Sequence, residues 1–156
     1  MAGIATLMAT DMITATPEET VAAVASRMSA NKIGAVLVIT EDNRISGVFS
    51  ERDLLVRVTA AGRDPKATRV REVATQAVVT IDVEAPLKDV LALFREKRFR
   101  HVPVVRGGKP VGILSTRDFL EYLVDGFEHY IDEFRYNRAL AEGTDPYDHF
   151  GGQYGG

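Results

Sequence analysis

Two stretches of the chain decide the reading: Gly47-Val48-Phe49-Ser50-Glu51-Arg52-Asp53 and Gly112-Ile113-Leu114-Ser115-Thr116-Arg117-Asp118. Both run Gly-x-x-Ser-x-Arg-Asp, and they lie 65 residues apart. Each carries apolar residues into a serine and then turns polar, the pattern of a strand that gives way to a helix.

Outward from these stretches the chain repeats itself, and a repeat fixes the architecture before any single element does. The stripe Val21, Val24, Ala25, Met28 returns as Leu87, Val90, Leu91, Phe94, 66 residues later. Both sets are spaced i, i+3, i+4, i+7, one face of a helix. Val36-Leu37-Val38-Ile39 returns as Val102-Pro103-Val104-Val105. The spacing drops from 66 to 65 between the apolar runs, where Thr40-Glu41-Asp42-Asn43-Arg44 is one residue longer than Arg106-Gly107-Gly108-Lys109. Turns absorb such changes, so the slip supports the alignment.

Each repeat reads strand, helix, strand, strand, helix. The first repeat predicts strands at 13–16, 35–39 and 45–49. Its first helix starts at Thr16-Pro17-Glu18-Glu19, with a cap, a proline at the first position and acids in the first turn, and runs to about Asn31. A second helix runs from Glu51 to about Ala61 and stops at Gly62. The second repeat predicts strands at 78–81, 102–105 and 110–114, a helix over 87–97 and another from Thr116, with Gly107-Gly108 as a hairpin turn. Residues 63–67 read as linker and 70–74 as a short helix. A half of this size leaves one sheet face bare, so the two halves are expected to pack sheet to sheet as one α/β (α+β) body. The expected divisions are 1–66, 67–125, and a helix extension with a tail over 126–156.

The totals bound the function. With 156 residues and 46% hydrophobic residues the chain can bury a core. It has no cysteine, which removes disulfides, zinc–thiolate sites and thiol chemistry. Its longest apolar run, residues 35–39, is far too short for a bilayer, and residues 1–11 do not read as a signal peptide, so a cytoplasmic location and no membrane partner are expected. From Phe119 onward eight acids face only Arg135 and Arg138, whereas residues 1–118 carry 17 basic and 14 acidic residues. That small excess does not predict a nucleic-acid partner but suits a small anion.

A helix N-terminus presents unpaired N–H groups and positive dipole character, which favours a phosphate. A serine there can donate to phosphate, an aspartate three residues on can accept from both ribose hydroxyls, and Arg52 and Arg117 stand beside the aspartates. The competing reading is structural: Ser-x-x-Asp is also a capping box, and a duplicated gene duplicates its caps. Spacing alone leaves both open.

Taken together these features resemble a pair of CBS domains, a Bateman module, in which each domain ends its second long strand in Gly-hydrophobic-x-Ser/Thr-x-x-Asp, after a strand like Arg100-His101-Val102-Pro103-Val104-Val105. The resemblance spans about residues 7–125. It implies a regulatory module with no catalytic residues, requiring no cofactor, that binds an adenosine-containing ligand such as AMP, ADP or ATP in the clefts between repeats and signals to a regulated protein. S-adenosylmethionine or NAD is an alternative ligand, and a structural or interaction module with empty sites is the alternative in another class. Carried over by motif position, the primary site implies Asp118 on the ribose, Ser115 and Arg117 with Arg100 near phosphate, Thr16, Gly34 and Ala35 around the base, Ile113 as an apolar wall, and His101 in the cleft. A second site implies Ser50, Arg52 and Asp53, facing Asp82, Arg100 and His101 where the first has Thr16, Gly34 and Ala35. Those residues are bulky and charged for a purine, so the second site ranks behind the first.

No other chemistry emerges. His101, His129 and His149 have no partner at i+3 or i+4, so no metal site is expected. No nucleophile–base pair or Walker loop is present in the sequence. Leu120, Leu123, Val124, Phe127, Ile131 and Phe134 extend an apolar stripe past the family's usual helix end near Val124, interrupted by Gly126. That stripe predicts a homodimer, with Glu128 and Asp132 solvated on the opposite face, and a glycine-rich end over 143–156 that is disordered.

Overall fold

A computed structural model describes residues 3–97 and 100–143 of the chain. The tail beyond Gly143, with His149, lies outside the described residues. The chain divides into two compact units, Met1–Thr116 and Arg117–Gly156.

The first unit holds the first repeat and the second repeat up to its last helix. In order it contains α1 (Ile4–Leu7), β1 (Thr14–Ala15), α2 (Val21–Ala30), β2 (Ala35–Ile39), β3 (Ile45–Ser50), α3 (Glu51–Asp53), a π-helical segment (Leu54–Thr59), α4 (Val70–Val73), β4 (Ile81–Asp82), α5 (Leu87–Lys97), β5 (His101–Arg106) and β6 (Lys109–Ser115). Two three-stranded sheets result, β1-β2-β3 and β4-β5-β6. In each, a short first strand runs parallel to the middle strand and a hairpin makes the third antiparallel. Gly107 and Gly108 both have positive φ, 58° and 78°, as a two-residue hairpin turn requires. The longer first turn places Asn43 at φ 58° and closes with Thr40 N–H on the Arg44 carbonyl at 2.9 Å.

The first long helix starts later than the sequence suggested. Thr16-Pro17-Glu18-Glu19 is a turn, and α2 begins at Val21 with Thr20 as its cap, the Thr20 hydroxyl accepting from Ala23 N–H at 3.3 Å. The turn's carbonyls are committed elsewhere: Pro17 and Glu19 accept from the N–H groups of Arg71 and Val70 at 3.1 and 2.9 Å. The Glu19 carboxylate accepts from Thr16 N–H at 2.8 Å and pairs with Arg27, which also donates to the Thr14 carbonyl at 2.8 Å. These bonds to α4 and α2 outweigh the local capping preference of Thr16. The Arg27 guanidinium lowers the Glu19 pKa below the usual glutamate range, and Glu19 raises that of Arg27.

The expected helix 51–61 is also different. One α-helical turn gives way to π-type bonding, seen in Ala60 N–H on Leu55 O at 2.8 Å. Gly62 follows at φ 70°, the left-handed position expected of it.

The core of the first repeat gathers Val21, Val24 and Met28 of α2, Val36 and Val38 of β2, Phe49 of β3, and Val70 and Val73 of α4. In the second repeat Val90, Val102, Val104 and Leu114 are fully buried.

Each sheet's third strand is closed by a segment from the other half. Ala9 pairs with Ile113 on β6, each N–H on the other's carbonyl at 2.8 and 3.0 Å. Thr75 pairs in the same way with Val48 on β3, both bonds 2.9 Å. Ala9 and Thr75 are 66 residues apart, so the exchange obeys the repeat. It also explains both motif glycines: a Cβ on Gly47 would stand 2.9 Å from the Thr75 carbonyl, and one on Gly112 would stand 2.6 Å from Met8 Sδ and 2.9 Å from the Ala9 carbonyl.

The second unit is built on α6 (Thr116–Glu142), whose start belongs to the first unit. Phe119 is buried, while Leu120, Leu123, Val124, Phe127, Tyr130, Ile131 and Phe134 are each at least 38% exposed. Gly143 ends the helix at φ 67°.

Candidate functional site

The two Gly-x-x-Ser-x-Arg-Asp stretches lie where the sequence placed them, at the β3–α3 and β6–α6 junctions. At each junction the strand-to-helix turn is fixed by one backbone bond to the residue before the middle strand. Glu51 N–H donates to the Gly34 carbonyl and Thr116 N–H to that of Arg100, both at 2.9 Å. Register then sets Ala35 opposite Ser50 and His101 opposite Ser115. The expected site residues therefore fall into two sets within the first unit: Gly34, Ala35, Ser50, Arg52 and Asp53 at one sheet end, and Arg100, His101 and Ser115 at the other.

At the first junction the capping box is complete. Ser50 N–H and Ser50 Oγ each donate to Asp53 Oδ2 at 3.0 Å, and Asp53 N–H donates to Ser50 Oγ at 3.2 Å. The remaining oxygen, Oδ1, accepts from Thr75 Oγ1 at 3.3 Å and lies 3.5 Å from Arg57 Nε. Arg57 also donates to the carbonyls of Val73 and Ala74, at 3.3 and 3.4 Å. Asp53, 8% exposed, is thus clamped between its own helix start and the segment that enters from the second repeat. Arg52 beside it is exposed.

At the second junction Ser115 is half-buried, and Arg100 and His101 are exposed. Ile113, half-buried, is held on one side by Pro103 and on the other by Ala9. Asp118 and Arg117 belong to the second unit. Asp118 is half-buried in the first turn of α6, and the exposed Arg117 pairs with Glu121 one turn on at 3.2 Å. The positions equivalent to Thr75 and Arg57 are Ala9 and Tyr122, so the clamp on Asp53 is not repeated in kind.

The two positions expected around a base differ in detail. Thr16 is exposed and follows β1, its N–H turned to Glu19; its counterpart Asp82 ends β4 and accepts from Glu84 N–H at 2.9 Å. Gly34 opens on a cleft of about 510 Å³ lined by Ala25, Met28, Ser29, Lys32, Glu51 and Leu54, among others. A Cβ on Gly34 would come 3.2 Å from Glu51 Oε1, so the glycine leaves room for that carboxylate. Sequence reasoning overlooked Glu51, Arg57 and Thr75. Arg57 was within reach of it, standing four residues after Asp53 on one helix face; Thr75 was not, because only the exchange between halves brings it to Asp53. No cluster of three or more metal-ligating side chains occurs among the described residues, and no described helix is long and apolar enough to cross a membrane.

The CBS domain family matches the chain twice, over residues 4–59 and 70–125. The chain is 32% identical over 116 residues to hypoxic response protein 1 of Mycobacterium tuberculosis, covering 74% of this chain and 79% of that protein. It is 31% identical over 129 residues to an uncharacterized protein of Methanopyrus kandleri, covering 80% of this chain but only 66% of that longer protein. Among solved structures, a CBS-domain crystal structure superposes with a TM-score of 0.72 at 30% identity, covering 80% of this chain and 99% of that one. A hexameric CBS-CP12 protein from bloom-forming cyanobacteria superposes with a TM-score of 0.69 at 25% identity over 92% of this chain and 89% of its own. The doubled match, the repeated junctions and the exchanged segments agree: this chain belongs to the CBS-domain family, as a tandem pair.

Proposed function

We propose that this CBS pair is a regulatory module that binds an adenosine-containing ligand, AMP, ADP or ATP, and passes its presence to a partner protein. The observation that carries the reading is the second junction. There Ser115 and the exposed Arg100 and His101 meet at the strand end, and Arg117 and Asp118 follow at once in the first turn of α6. A helix start with hydroxyl and cationic neighbours suits phosphate, and a carboxylate suits the vicinal hydroxyls of ribose. Thr16, Gly34, Ala35 and Ile113 complete the proposed base side. The site of Ser50, Arg52, Asp53 and Asp82 ranks second, because it faces the bulky, charged Arg100 and His101 where the first has Thr16, Gly34 and Ala35. The module works without a cofactor and without catalysis of its own. It associates as a homodimer, a reading supported by the apolar face of α6 and by the oligomeric CBS-CP12 protein.

A ligand that binds only the folded chain raises its melting temperature. At a hundred times Kd the gain is about 2.7 kcal/mol, roughly 5–10 °C for a chain of this size. AMP, ADP and ATP are expected to give shifts of that order, and their 2′-deoxy forms clearly less. Equal shifts from ribo and deoxy forms would remove the ribose role of Asp118. A larger shift from S-adenosylmethionine or NAD would reassign the ligand within the adenosine class. No shift from any of them would favour the structural reading, for which the completed Ser50–Asp53 capping box is the specific support.

A further inference from the structure

The family match ends at residue 125, yet α6 continues to Glu142. The added turns carry an ordered apolar pattern. Leu120, Leu123, Phe127, Tyr130 and Phe134 alternate three and four residues apart, the a and d positions of a heptad, and Val124 and Ile131 widen the stripe at e. None of the seven is buried; their exposures run from 38% to 66%. With roughly 150–250 Å² for each full-sized side chain, the stripe presents on the order of 700 Å². A lone soluble chain rarely leaves that much contiguous apolar surface in water, and a standard interface takes about 800 Å² from each partner.

The stripe also has a shape. A groove of about 450 Å³ opens on it, lined by Tyr122, Leu123, Gly126, Phe127 and Tyr130. Four of these, Leu123, Gly126, Phe127 and Tyr130, stand at i, i+3, i+4 and i+7, the diamond that receives one knob from a facing helix. Gly126 forms its floor, and a Cβ placed there meets nothing within 4 Å. In a parallel, in-register pair this is the hole that faces the knob at the partner's Phe127 position. A bulky phenylalanine thus stands next to the one residue small enough to make room for its equivalent.

We propose that the α6 extension is a self-pairing segment: two copies of this chain join α6 in parallel, and Phe127 of each fills the Gly126 hole of the other. Charge favours this direction. In parallel, Glu133 at g faces Arg138 at e of the second copy, joining the pair that Arg138 makes with Glu142 of its own helix at 2.8 Å. An antiparallel pair about the same hole would set Arg117 against Arg138. The inference deepens the homodimer reading above and rests on it, but not on the ligand.

The test uses the full chain and follows dimer dissociation by analytical ultracentrifugation across a concentration series. Gly126→Leu fills the hole with a better helix former, so a loss of association cannot come from a weakened helix. Gly126→Leu and Phe127→Ala are each expected to raise the dimer Kd at least tenfold, while Tyr136→Ala, off the stripe at c, leaves it unchanged. Because the chain has no cysteine, Tyr130→Cys reports direction: at d it faces its own copy in the parallel pair and cross-links on mild oxidation. A wild-type dimer indifferent to both Gly126→Leu and Phe127→Ala would overturn the helix pairing and leave the homodimer reading standing. A wild-type monomer at about 100 times a micromolar concentration would overturn both. Failure of Tyr130→Cys to cross-link an otherwise sensitive dimer would overturn the parallel arrangement.

Discussion

The β3–α3 and β6–α6 junctions share four of seven motif residues, Gly, Ser, Arg and Asp, and differ in the residues set around the aspartate. At the first, serine and aspartate close a capping box and the aspartate is held further by Thr75 and Arg57. At the second, the equivalents of those two clamping residues are Ala9 and Tyr122. The particular partners that hold Asp53 therefore do not carry over residue by residue to the second copy, which remains the proposed ligand site.

Three experiments press on this contrast. The largest effects are expected where the halves are alike. Gly47→Ala and Gly112→Ala each drive a methyl against the carbonyl of an exchanged segment, 2.9 Å away in both cases. Each should cost about 1–3 kcal/mol in urea unfolding, the range for overpacking. A loss confined to one of them would mean that only one exchange matters for stability.

The aspartates should separate the halves. Asp53→Ala removes half of the capping box and takes one acceptor from each of Thr75 and Arg57, for about 2 kcal/mol and a melting point lower by roughly 4–8 °C. Asp118→Ala should lower stability less but abolish most of the stabilisation by adenine nucleotides, which Asp53→Ala should retain. Nucleotide protection lost in Asp53→Ala and kept in Asp118→Ala would reverse the assignment.

The smallest effect concerns a feature of one half alone. The Glu19–Arg27 pair has Ala85 and Leu93 at the equivalent positions of the second repeat. Arg27 holds the folded pKa of Glu19 below its ordinary range. Its contribution is therefore full above the unfolded pKa and disappears as pH falls through the folded one. The pair is partly exposed and screened, so the amount is about 0.5–1 kcal/mol. Glu19→Gln should lower stability at neutral pH and flatten its decline in acid. An unchanged acid limb would show that the pair is inert.

Much of this architecture was legible from spacing. Strands 35–39 and helix 87–97 fall where periodicity put them, because burial on one face imposes the pattern directly. The start of α2 did not, since Thr16-Pro17-Glu18-Glu19 is an excellent local cap and loses only to bonds with residues 70 and 71. The π-helical turn after Asp53 left no mark in the sequence either; it coincides with Arg57 reaching two carbonyls at the end of α4. Of the site, the motif residues and their junctions could be read in advance, while Thr75 and the crowding of Gly34 by Glu51 depend on which remote segments meet.

The exchange of Ala9 and Thr75 has a consequence in time. Thr75 follows its acceptor strand after only 27 residues, but Ala9 must wait for Ile113, 104 residues later. At a synthesis rate of about 5–20 residues per second the early segment stays unpaired for roughly 5–20 seconds on a ribosome. Refolding from denaturant meets the same delay as an entropic one, because so distant a contact is slow to close. The closing of the second sheet thus waits on a segment made about a hundred residues earlier, and a nascent chain halted before β6 would hold the first sheet closed and the Ala9 segment still searching.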